Sequence, residues 1–577
     1  MTPELPDECL ESILKHISHP HDHESLSLVS KHFLSFINRI HTHLSVSDGL
    51  LPHLPALLRR FTNLTSIKVT YYFTGDIDAL LSQIASFDLP SLHSLDISYR
   101  RTFPSHGLRQ FSQKFPTLKS LNCSRTRPDL VLIAECFPNL EEIDVSFVPE
   151  FPNADLHVKA LTSGLKKLRQ VNLSGSYFFD GSSIFTLCQN CVSLEALAVD
   201  EGDDSKIAIA NSIRERPQLR SLKVISQSVT LEPIVDTLVS LKFLTCLDLF
   251  QACISDEALC AIAEGGPPLR ELNLYSCQGY GLGGISCLLR KCNNLQCLDL
   301  RRTDFLNDQC VMDLSLLLGN LKVVNLSQNA NLTDLSLYAI MRNCPLITEI
   351  RMDCTGVGKQ KVEEDCLVVN SHLKFLYLAA NSGLDDESVT MLASVCPNLE
   401  IIDLTSSCRR ISKGAIDILC RCCKIQRMDI DRIGCDLPQF QFRVNFEVPT
   451  LSVLNLSLCS ISDEELSLLS KSCYNLKELT LDFCDKITAN GVKQVVKNCK
   501  QLRMISLLCC NKVTCDVVAW MVLARPSLRK ILPPAFNSSD INSQRDFFLR
   551  HGCFVVRRED FYYERWGESD DFLDLDW

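Results

Sequence analysis

Apolar residues recur along most of this chain with one spacing. A Leu or Ile is followed by an apolar residue three positions later and by another two positions after that, as in Leu476, Leu479 and Leu481. The final two-residue step is typical of a short strand, and the stretch that opens at Thr488 has the apolar period of a helix. Such a strand-turn-helix unit is apolar on both elements, so it is buried only by copies of itself on either side.

The unit occurs nineteen times. Its first apolar residue, called the frame residue below, stands at positions 64, 92, 118, 140, 168, 194, 219, 244, 269, 295, 321, 347, 373, 399, 425, 451, 476, 502 and 528. From 194 onward every step is 25 or 26 residues, a regularity that chance clustering does not produce. The pattern predicts an α/β repeat solenoid over residues 64–532. Because strands stack about 4.8 Å apart and helices roughly 8 to 10 Å apart, the solenoid is expected to curve into a horseshoe approaching a ring.

Side chains that cap helices mark where the predicted helices begin. The predicted N-caps are Ser255, Thr333, Asp385, Ser412, Ser462 and Thr514, and Ser462 stands three residues before Glu465, the spacing of a capping box. After the last repeat, a helix over Ile541–Arg550 that ends at Gly552 is expected to cover the solenoid with Phe547, Phe548 and Phe554. Residues 533–577 are therefore predicted to form a C-terminal cap and an acidic tail.

The chain contains 30 cysteines, and many stand at one position of the repeat, as Cys292, Cys344 and Cys396 do. Their spacing resembles that of the cysteine-containing leucine-rich repeat family. A free Cys is a small buried hydrophobe that fits a tight turn. Residues 1–16 have no apolar signal core, and no run of about 18 apolar residues occurs. We therefore expect reduced thiols, no membrane contact, and a cytoplasmic or nuclear location.

The first 45 residues differ from the repeats and predict two or three short helices. Leu5-Pro6-Asp7 opens a stripe of Leu10, Ile13 and Leu14, and Val29-Ser30-Lys31 and Phe33 belong to a second apolar cluster. This stretch resembles the F-box. The resemblance implies that a Skp-type adaptor binds Leu5, Pro6, Asp7, Leu10, Ile13, Leu14, Val29, Ser30 and Phe33. Residues 1–45 are thus interpreted as an F-box, and residues 46–63 as a linker and N-terminal cap.

An F-box followed by leucine-rich repeats resembles the substrate-recognition subunits of SCF ubiquitin ligases. The resemblance implies an adaptor that joins the chain to a cullin-RING assembly, and a target protein held on the repeats for proteasomal degradation. The plant auxin and jasmonate receptors share this layout, so a small-molecule co-receptor is an alternative. A repeat scaffold with no ligase role is a third hypothesis.

Two sets of side chains are predicted to lie on the face of the strands that points away from the core. The first is a row of Asp and Asn residues, for which a structural role is favoured over a ligand site: Asp96, Asn122, Asp144, Asn172, Asp248, Asn273, Asp299, Asn325, Asp403, Asp429 and Asn455. The second interrupts that row with Arg, Tyr and Phe, a mixture enriched at binding hot spots. These proposed target-binding residues are Tyr275, Arg301, Arg302, Arg351, Tyr377, Arg409, Arg410, Arg432 and Phe483. Replacing Arg301 and Arg302 is expected to weaken target binding with little loss of stability.

Other sequence features favour a non-catalytic receptor without a cofactor. There is no G-x-S-x-G or phosphate-binding G-x-x-x-x-G-K-S/T motif. His19, His21 and His23 with Asp22 are interpreted as a solvated loop and not as a metal site, since no Cys partners stand at zinc spacing. The segment Pro438–Phe446 is interpreted either as a replaced outer layer or as a loop that contacts a ligand.

Charge argues against nucleic acid as a partner. The net charge is -11, and residues 559–577 contribute eight acidic side chains against Arg565, or -7, which leaves about -4 on the rest of the chain. A nucleic-acid binder is expected to be basic instead.

Overall fold

The computed structural model describes the chain apart from residues 1–6, 16–22, 24–25, 72, 150–153, 177, 202–205, 227–231, 361–367, 408–409, 412–413, 433–446, 535–543 and 557–577. Several predictions fall outside the described residues: those on Leu5, Pro6, His19, His21, Asp22, Arg409, Ser412, the Pro438–Phe446 segment and the acidic tail.

The chain divides into two compact units, Met1–Gln227 and Ser228–Trp577. In the first unit the described helices are Asp7–Lys15, Lys31–Ile40, Leu54–Arg60, Ile77–Ala85, Ser105–Lys114, Leu130–Cys136, Ala154–Gly164, Gly181–Asn190 and Lys206–Arg214, with a 3-10 helix at Asp48–His53. Its strands are His43–Val46, Ser66–Val69, Ser94–Asp96, Ser120–Asn122, Glu142–Asp144, Gln170–Asn172, Ala196–Glu201 and Ser221–Ser226.

The second unit continues the same alternation. Its described helices are Glu232–Ser240, Asp256–Gly265, Leu282–Lys291, Asp308–Ser315, Asp334–Asn343, Asp386–Val395, Gly414–Arg421, Asp463–Ser472, Ala489–Asn498, Asp516–Ala524 and Arg545–Arg550. Its strands are Cys246–Phe250, Glu271–Asn273, Cys297–Asp299, Val323–Asn325, Glu349–Arg351, Phe375–Tyr377, Ile401–Asp403, Arg427–Asp429, Val453–Asn455, Glu478–Thr480, Met504–Ser506, Lys530–Leu532 and Phe554–Val555.

Within each unit, every strand pairs in parallel with the next strand along the chain. The register places equivalent repeat positions side by side, as for Leu298 and Val324. All nineteen frame residues are at most 2 % exposed, so each repeat buries its own apolar side against its neighbours. The predicted α/β solenoid of leucine-rich repeats is confirmed.

The sheet extends one strand beyond the predicted repeats at each end. His43–Val46 pairs with Ser66–Val69, before the first frame residue, and Phe554–Val555 pairs with Lys530 and Ile531 after the last. The predicted C-terminal helix occurs as Arg545–Arg550, with Phe548 only 1 % exposed, and Gly552 has a φ of 73° as expected of a residue that ends a helix.

Most of the predicted helix starts that fall on described residues are confirmed. Ser255, Thr333, Asp385 and Ser462 each accept a hydrogen bond from an amide of their helix. Ser462 and Glu465 form the complete capping box. The prediction for Thr514 is wrong: the helix Asp516–Ala524 begins after Cys515, which makes no side-chain cap.

Small polar side chains at one position tie several repeats to the one before them. The donor is the side chain three residues after the third apolar residue of its strand pattern. It donates to the carbonyl of the third apolar residue of the preceding repeat: Asn329 to Leu300 (2.8 Å), Asn381 to Met352 (2.8 Å), Ser407 to Leu378 (2.8 Å), Cys484 to Leu456 (3.2 Å) and Cys510 to Leu481 (2.9 Å). Burial raises the pKa of the Cys510 thiol to about 12, which keeps it protonated as a donor. These cysteines are therefore structural donors in the turn.

Candidate functional site

Most of the Asp and Asn row holds the turn at the end of its strand. A side-chain oxygen accepts the backbone amide two residues further on, at 2.8 to 3.1 Å, for Asp96, Asn122, Asp144, Asn172, Asn273, Asp299, Asn325, Asp403 and Asn455. Since each of these nine side chains uses one acceptor oxygen for this bond, the geometry supports the structural role that the sequence favoured.

At some positions of the row that have neither Asp nor Asn, the preceding repeat supplies the acceptor instead. Where the row has Tyr377, the amide of Ala379 donates to Asp353 Oδ1 at 2.7 Å. Where it has Ser506, the amide of Leu508 donates to Asp482 Oδ1 at 3.0 Å. The Tyr377 side chain is consequently not needed for its own turn, and this position is open to another role.

The residue that follows the strand-end turn adopts a left-handed conformation in one repeat after another. Positive φ values between 52° and 64° occur at Tyr99, Arg125, Phe147, Gln251, Ser276, Arg302, Gln328, Cys354, Ala380, Ser406, Arg432, Leu458, Phe483 and Cys509. This conformation costs an L-residue roughly 1 to 2 kcal/mol. An amide hydrogen bond to the next repeat accompanies it, as from Arg432 to Ser457 (2.8 Å) and from Phe483 to Leu508 (2.7 Å). Arg302, Arg432 and Phe483 thus occupy equivalent backbone positions in their repeats.

Arg301 differs from what the sequence predicted. Its side chain is buried, and its guanidinium lies 2.7 Å from Asp299 Oδ2, with Nε 2.8 Å from the same oxygen. The guanidinium carbon also lies 4.3 Å from the centre of the Tyr275 ring. The expectation that Arg301 can be removed with little loss of stability is therefore wrong, because its removal leaves Asp299 buried without its cation.

Arg351 is also paired within the protein. Its Nε donates to Glu349 Oε1 at 2.6 Å, and its guanidinium carbon lies 4.3 Å from the centre of the Tyr377 ring. On the strand face, residues two apart lie side by side, so the alternation Glu-x-Arg brings opposite charges together. The same spacing joins Arg427 Nε to Asp429 at 2.6 Å.

The remaining predicted arginines are more exposed. Arg302 and Arg410 are both exposed and make no ion pair within the described part of the chain. Arg432 is partly exposed, with its Nε 4.0 Å from Asp431. Phe483 is 40 % exposed. Of the predicted set, these four residues present the most accessible side chains.

A group of apolar residues that the sequence reasoning missed lies among the predicted ones. Phe375 pairs in register with Ile401, and Tyr377 pairs with Asp403. Leu376 and Ile402, between them, are fully buried, so Phe375, Tyr377 and Ile401 lie on the opposite, open face of the sheet, where all three are partly exposed. We call these three residues the central patch. The two-residue period could have identified Phe375 and Ile401, since they stand two residues after a frame residue.

The N-terminal helices pack around a small core of their own. Leu14, Phe36 and Ile37 are buried together, and Leu10, Leu26, Phe33 and Ile40 pack against them. Ser30 caps the helix Lys31–Ile40 by accepting the amide of Phe33 at 3.1 Å. Leu10, Leu14 and Phe33, predicted to contact an adaptor, thus contribute to this core, with Leu14 only 2 % exposed.

Other predicted adaptor residues are presented to solvent. Ile13 is 52 % exposed and Val29 is 66 % exposed, and Leu28, which was not predicted, is 87 % exposed. Asp7 lies 3.3 Å from His32 and 4.0 Å from Arg39, so it ties the first helix to the next. Several exposed apolar side chains on one small unit are unusual for a surface that remains in water.

Among the described residues, no cluster of three or more His, Cys, Asp or Glu side chains is arranged to hold a metal ion. His23 Nε2 instead lies 3.0 Å from the carbonyl oxygen of Leu14. Within the same described residues, no helix is long and apolar enough to cross a bilayer.

Comparisons with known proteins identify a domain at the N-terminus and several relatives of the chain. Residues 3–44 match the F-box domain. GRR1-like protein 1 of Arabidopsis thaliana is 26 % identical over 277 residues, which cover 41 % of this chain and 46 % of that protein. Transport inhibitor response 1-like protein Os11g0515500 of Oryza sativa subsp. japonica is 24 % identical over 42 % of this chain and 48 % of its own length. F-box protein MAX2 of Arabidopsis thaliana is 24 % identical over 61 % of this chain and 55 % of its own length.

The chain spans about half the length of these relatives. The F-box match and the repeat sheet together define a protein with an N-terminal F-box followed by leucine-rich repeats. The chain is thus similar to F-box/leucine-rich-repeat proteins, with the F-box match over residues 3–44 and the repeats after it.

Proposed function

We propose that this chain is the substrate-recognition subunit of an SCF-type ubiquitin ligase. The F-box binds a Skp-type adaptor, which connects it to a cullin-RING assembly, and the repeats bind a target protein. The observation that carries the proposal is the F-box match over residues 3–44 in a chain that continues as leucine-rich repeats.

Packing of the N-terminal helices supports the adaptor contact. Leu14, Phe36 and Ile37 fill the core of these helices, while Ile13 and Val29 remain more than half exposed. Covering exposed apolar side chains with a partner removes them from water, at about 25 cal/mol per Å² of apolar area. The adaptor surface is therefore proposed to include Ile13 and Val29, with the exposed Leu28 beside Val29 in the chain.

The receptor contributes to ubiquitin transfer by proximity. A target held on the repeats and a ubiquitin-charged enzyme held through the adaptor belong to one assembly, so their encounter becomes intramolecular. No catalytic group of this chain is needed for that effect.

The adaptor contact is tested with the Ile13→Asp/Val29→Asp double variant of the full chain. Placing two carboxylates at an apolar contact should reduce copurification of the Skp-type adaptor about 100-fold, since burying an unpaired charge costs several kcal/mol. The matched control is Leu316→Asp, which places a carboxylate at another apolar residue, 71 % exposed, on the repeats. Leu14→Asp is unsuitable, because Leu14 belongs to the core.

Full adaptor binding by the double variant, with an unchanged melting temperature, would contradict the proposed contact. Loss of binding by Leu316→Asp as well would indicate a general effect of charge. Target turnover is tested by proximity labelling with and without proteasome inhibition. Proteins that accumulate around wild-type chain, but not around the double variant, are expected to be its targets.

The same assay separates direct from ligand-dependent recognition. Target capture with purified components supports direct binding. Capture that returns only when a small-molecule fraction of cell extract is added supports the co-receptor alternative. The scaffold alternative is supported by proteins that bind equally to wild-type chain and to the adaptor-deficient variant and do not accumulate when the proteasome is inhibited.

A further inference from the structure

The central patch combines partly exposed apolar area with a tyrosine hydroxyl. Phe375 and Ile401 are adjacent in register, and Tyr377 lies two residues beyond Phe375 on the same strand. The small residues Ala379 and Ala380 follow in the turn. The Tyr377 hydroxyl makes no hydrogen bond to any residue in the described part of the chain. An aromatic ring with a free hydroxyl is a common anchor at protein interfaces.

The charged side chains around the central patch leave an excess of negative charge. Arg351 and Arg427, which flank it, are held by Glu349 and Asp429 at 2.6 Å. Asp403 is adjacent to Tyr377 in register; its carboxylate accepts the amide of Thr405 in its own turn and makes no ion pair within the described part of the chain. Since the flanking cations already have partners, the charge available to a ligand near Tyr377 is negative.

Two further carboxylates lie near Asp403, and Arg351 and Arg432 offset part of their charge. Asp353 accepts the amide of Ala379 at 2.7 Å, and Asp431 accepts the amide of Ser406. Burial raises the pKa of both, and the charge of Asp403 adds to the rise in each. A cation placed near Asp403 therefore relieves repulsion among three carboxylates.

We infer that the central patch binds an extended segment of the target protein in which an apolar side chain stands beside a lysine or arginine. This inference rests on the proposed target-binding role of the repeats. The apolar side chain packs on Phe375, Tyr377 and Ile401, and the cation pairs with Asp403. Acidic or phosphorylated segments are disfavoured, because the flanking arginines are already paired and the remaining carboxylates repel them.

The test is selection from a random 12-residue peptide display library on the full-length chain bound to its adaptor. Wild-type protein is expected to enrich peptides with an apolar residue next to Lys or Arg. Ile401→Asp should reduce the affinity of the selected peptides about tenfold or more, since it charges the centre of the patch. Asp403→Asn keeps the acceptor oxygen of the turn, as Asn325 and Asn455 do, and should reduce affinity about threefold to tenfold while weakening its salt dependence.

Arg302→Ala distinguishes the central patch from the competing arginine site that the sequence predicts. Arg302 is exposed and belongs to the arginine set predicted from the sequence, so its loss should leave selected peptides bound within about twofold if the central patch is the site. Every variant is first compared with wild-type protein by melting temperature. If Ile401→Asp is unstable, Phe375→Ser provides a second, uncharged disruption of the patch.

Three results would overturn the inference: no enriched motif, enrichment of acidic peptides, or loss of binding in Arg302→Ala with retention in Ile401→Asp. Adaptor copurification is measured on the same preparations. Failure of peptide selection with intact adaptor binding rejects only the patch. Peptide selection by a chain that binds no adaptor rejects the proposed ligase role and leaves the patch in place.

Discussion

Replacing Arg301 by Met should destabilise the second unit locally, even though the residue belongs to a strand face predicted to be solvated. Arg301 is 8 % exposed and Asp299 is 2 % exposed, and they are joined by contacts of 2.7 and 2.8 Å. Breaking a buried pair by removing one partner costs roughly 3 to 5 kcal/mol. Because Asp299 keeps the amide of Arg301 as a donor at 3.0 Å, we expect the lower end, about 3 kcal/mol.

Hydrogen exchange followed by mass spectrometry is the appropriate assay, since repeats depend on their neighbours and open locally. Amides of the strand Cys297–Asp299 should exchange about 100-fold faster in Arg301→Met. The double variant Asp299→Asn/Arg301→Met removes both charges and keeps the acceptor of the turn, so it should recover to within about 1 kcal/mol of wild type.

Acidification provides an independent check on the same pair. Burial raises the pKa of Asp299 above its ordinary value even with Arg301 present, and loss of the cation raises it further. When the pKa of a carboxyl group is higher in the folded than in the unfolded protein, the folded protein becomes less stable as pH rises from the unfolded-state pKa to the folded-state pKa. The deficit of Arg301→Met should therefore shrink on acidification. An exchange rate within about threefold of wild type at neutral pH would refute the reasoning, as would equal deficits in the single and double variants.

Cys510→Val should cost about 1 kcal/mol more than Cys510→Ser, measured by urea unfolding, because Val removes one of the two donors to the Leu481 carbonyl and leaves only the amide of Cys484; equal costs would contradict this role. Gly491→Ala should lower the melting temperature by bringing a methyl group into the Asp463 carboxylate, whereas Gly319→Ala, with open space around the new methyl, should not; similar losses would contradict the packing argument. Burial raises the pKa of Asp200 to about 6, so the first unit should lose stability as pH rises from 3.8 to about 6, and Asp200→Asn should remove that loss in melting curves; an unchanged pH profile would contradict it.

The repeat architecture could be predicted because burial imposes a simple rule on the sequence. A position that faces the core in every repeat tolerates only a narrow set of side chains, and the frame residues from Leu64 to Leu528 are accordingly buried throughout. Capping has a similarly local rule, which identified Ser462 and Glu465. It failed at Thr514, where the helix begins after Cys515, since a capping residue near a helix start does not fix the first turn.

The state of the arginines could not be predicted from single positions. Arg301 and Arg302 are adjacent in sequence, yet one is buried on Asp299 and the other is exposed. The difference arises from backbone geometry: Arg302 occupies the left-handed site with a φ of 52°, while Arg301 still lies two residues from Asp299 along the strand direction. An acid and a base two residues apart on a strand was the available signal, and it also marks Arg351 with Glu349.

Pairing among these charges changes what the open sheet face can recognise. An arginine that is already bonded to a carboxylate must break that bond before it holds a target, so a new ion pair there gains little. Arg351 stacks on Tyr377 and donates to Glu349, which fixes the ring instead of offering a free cation. Near Tyr377, the inferred selectivity then depends on the apolar central patch and on the carboxylate of Asp403 beside it. Around this patch, a surface that appears rich in arginine from its sequence is thus inferred to favour a ligand that carries positive charge itself.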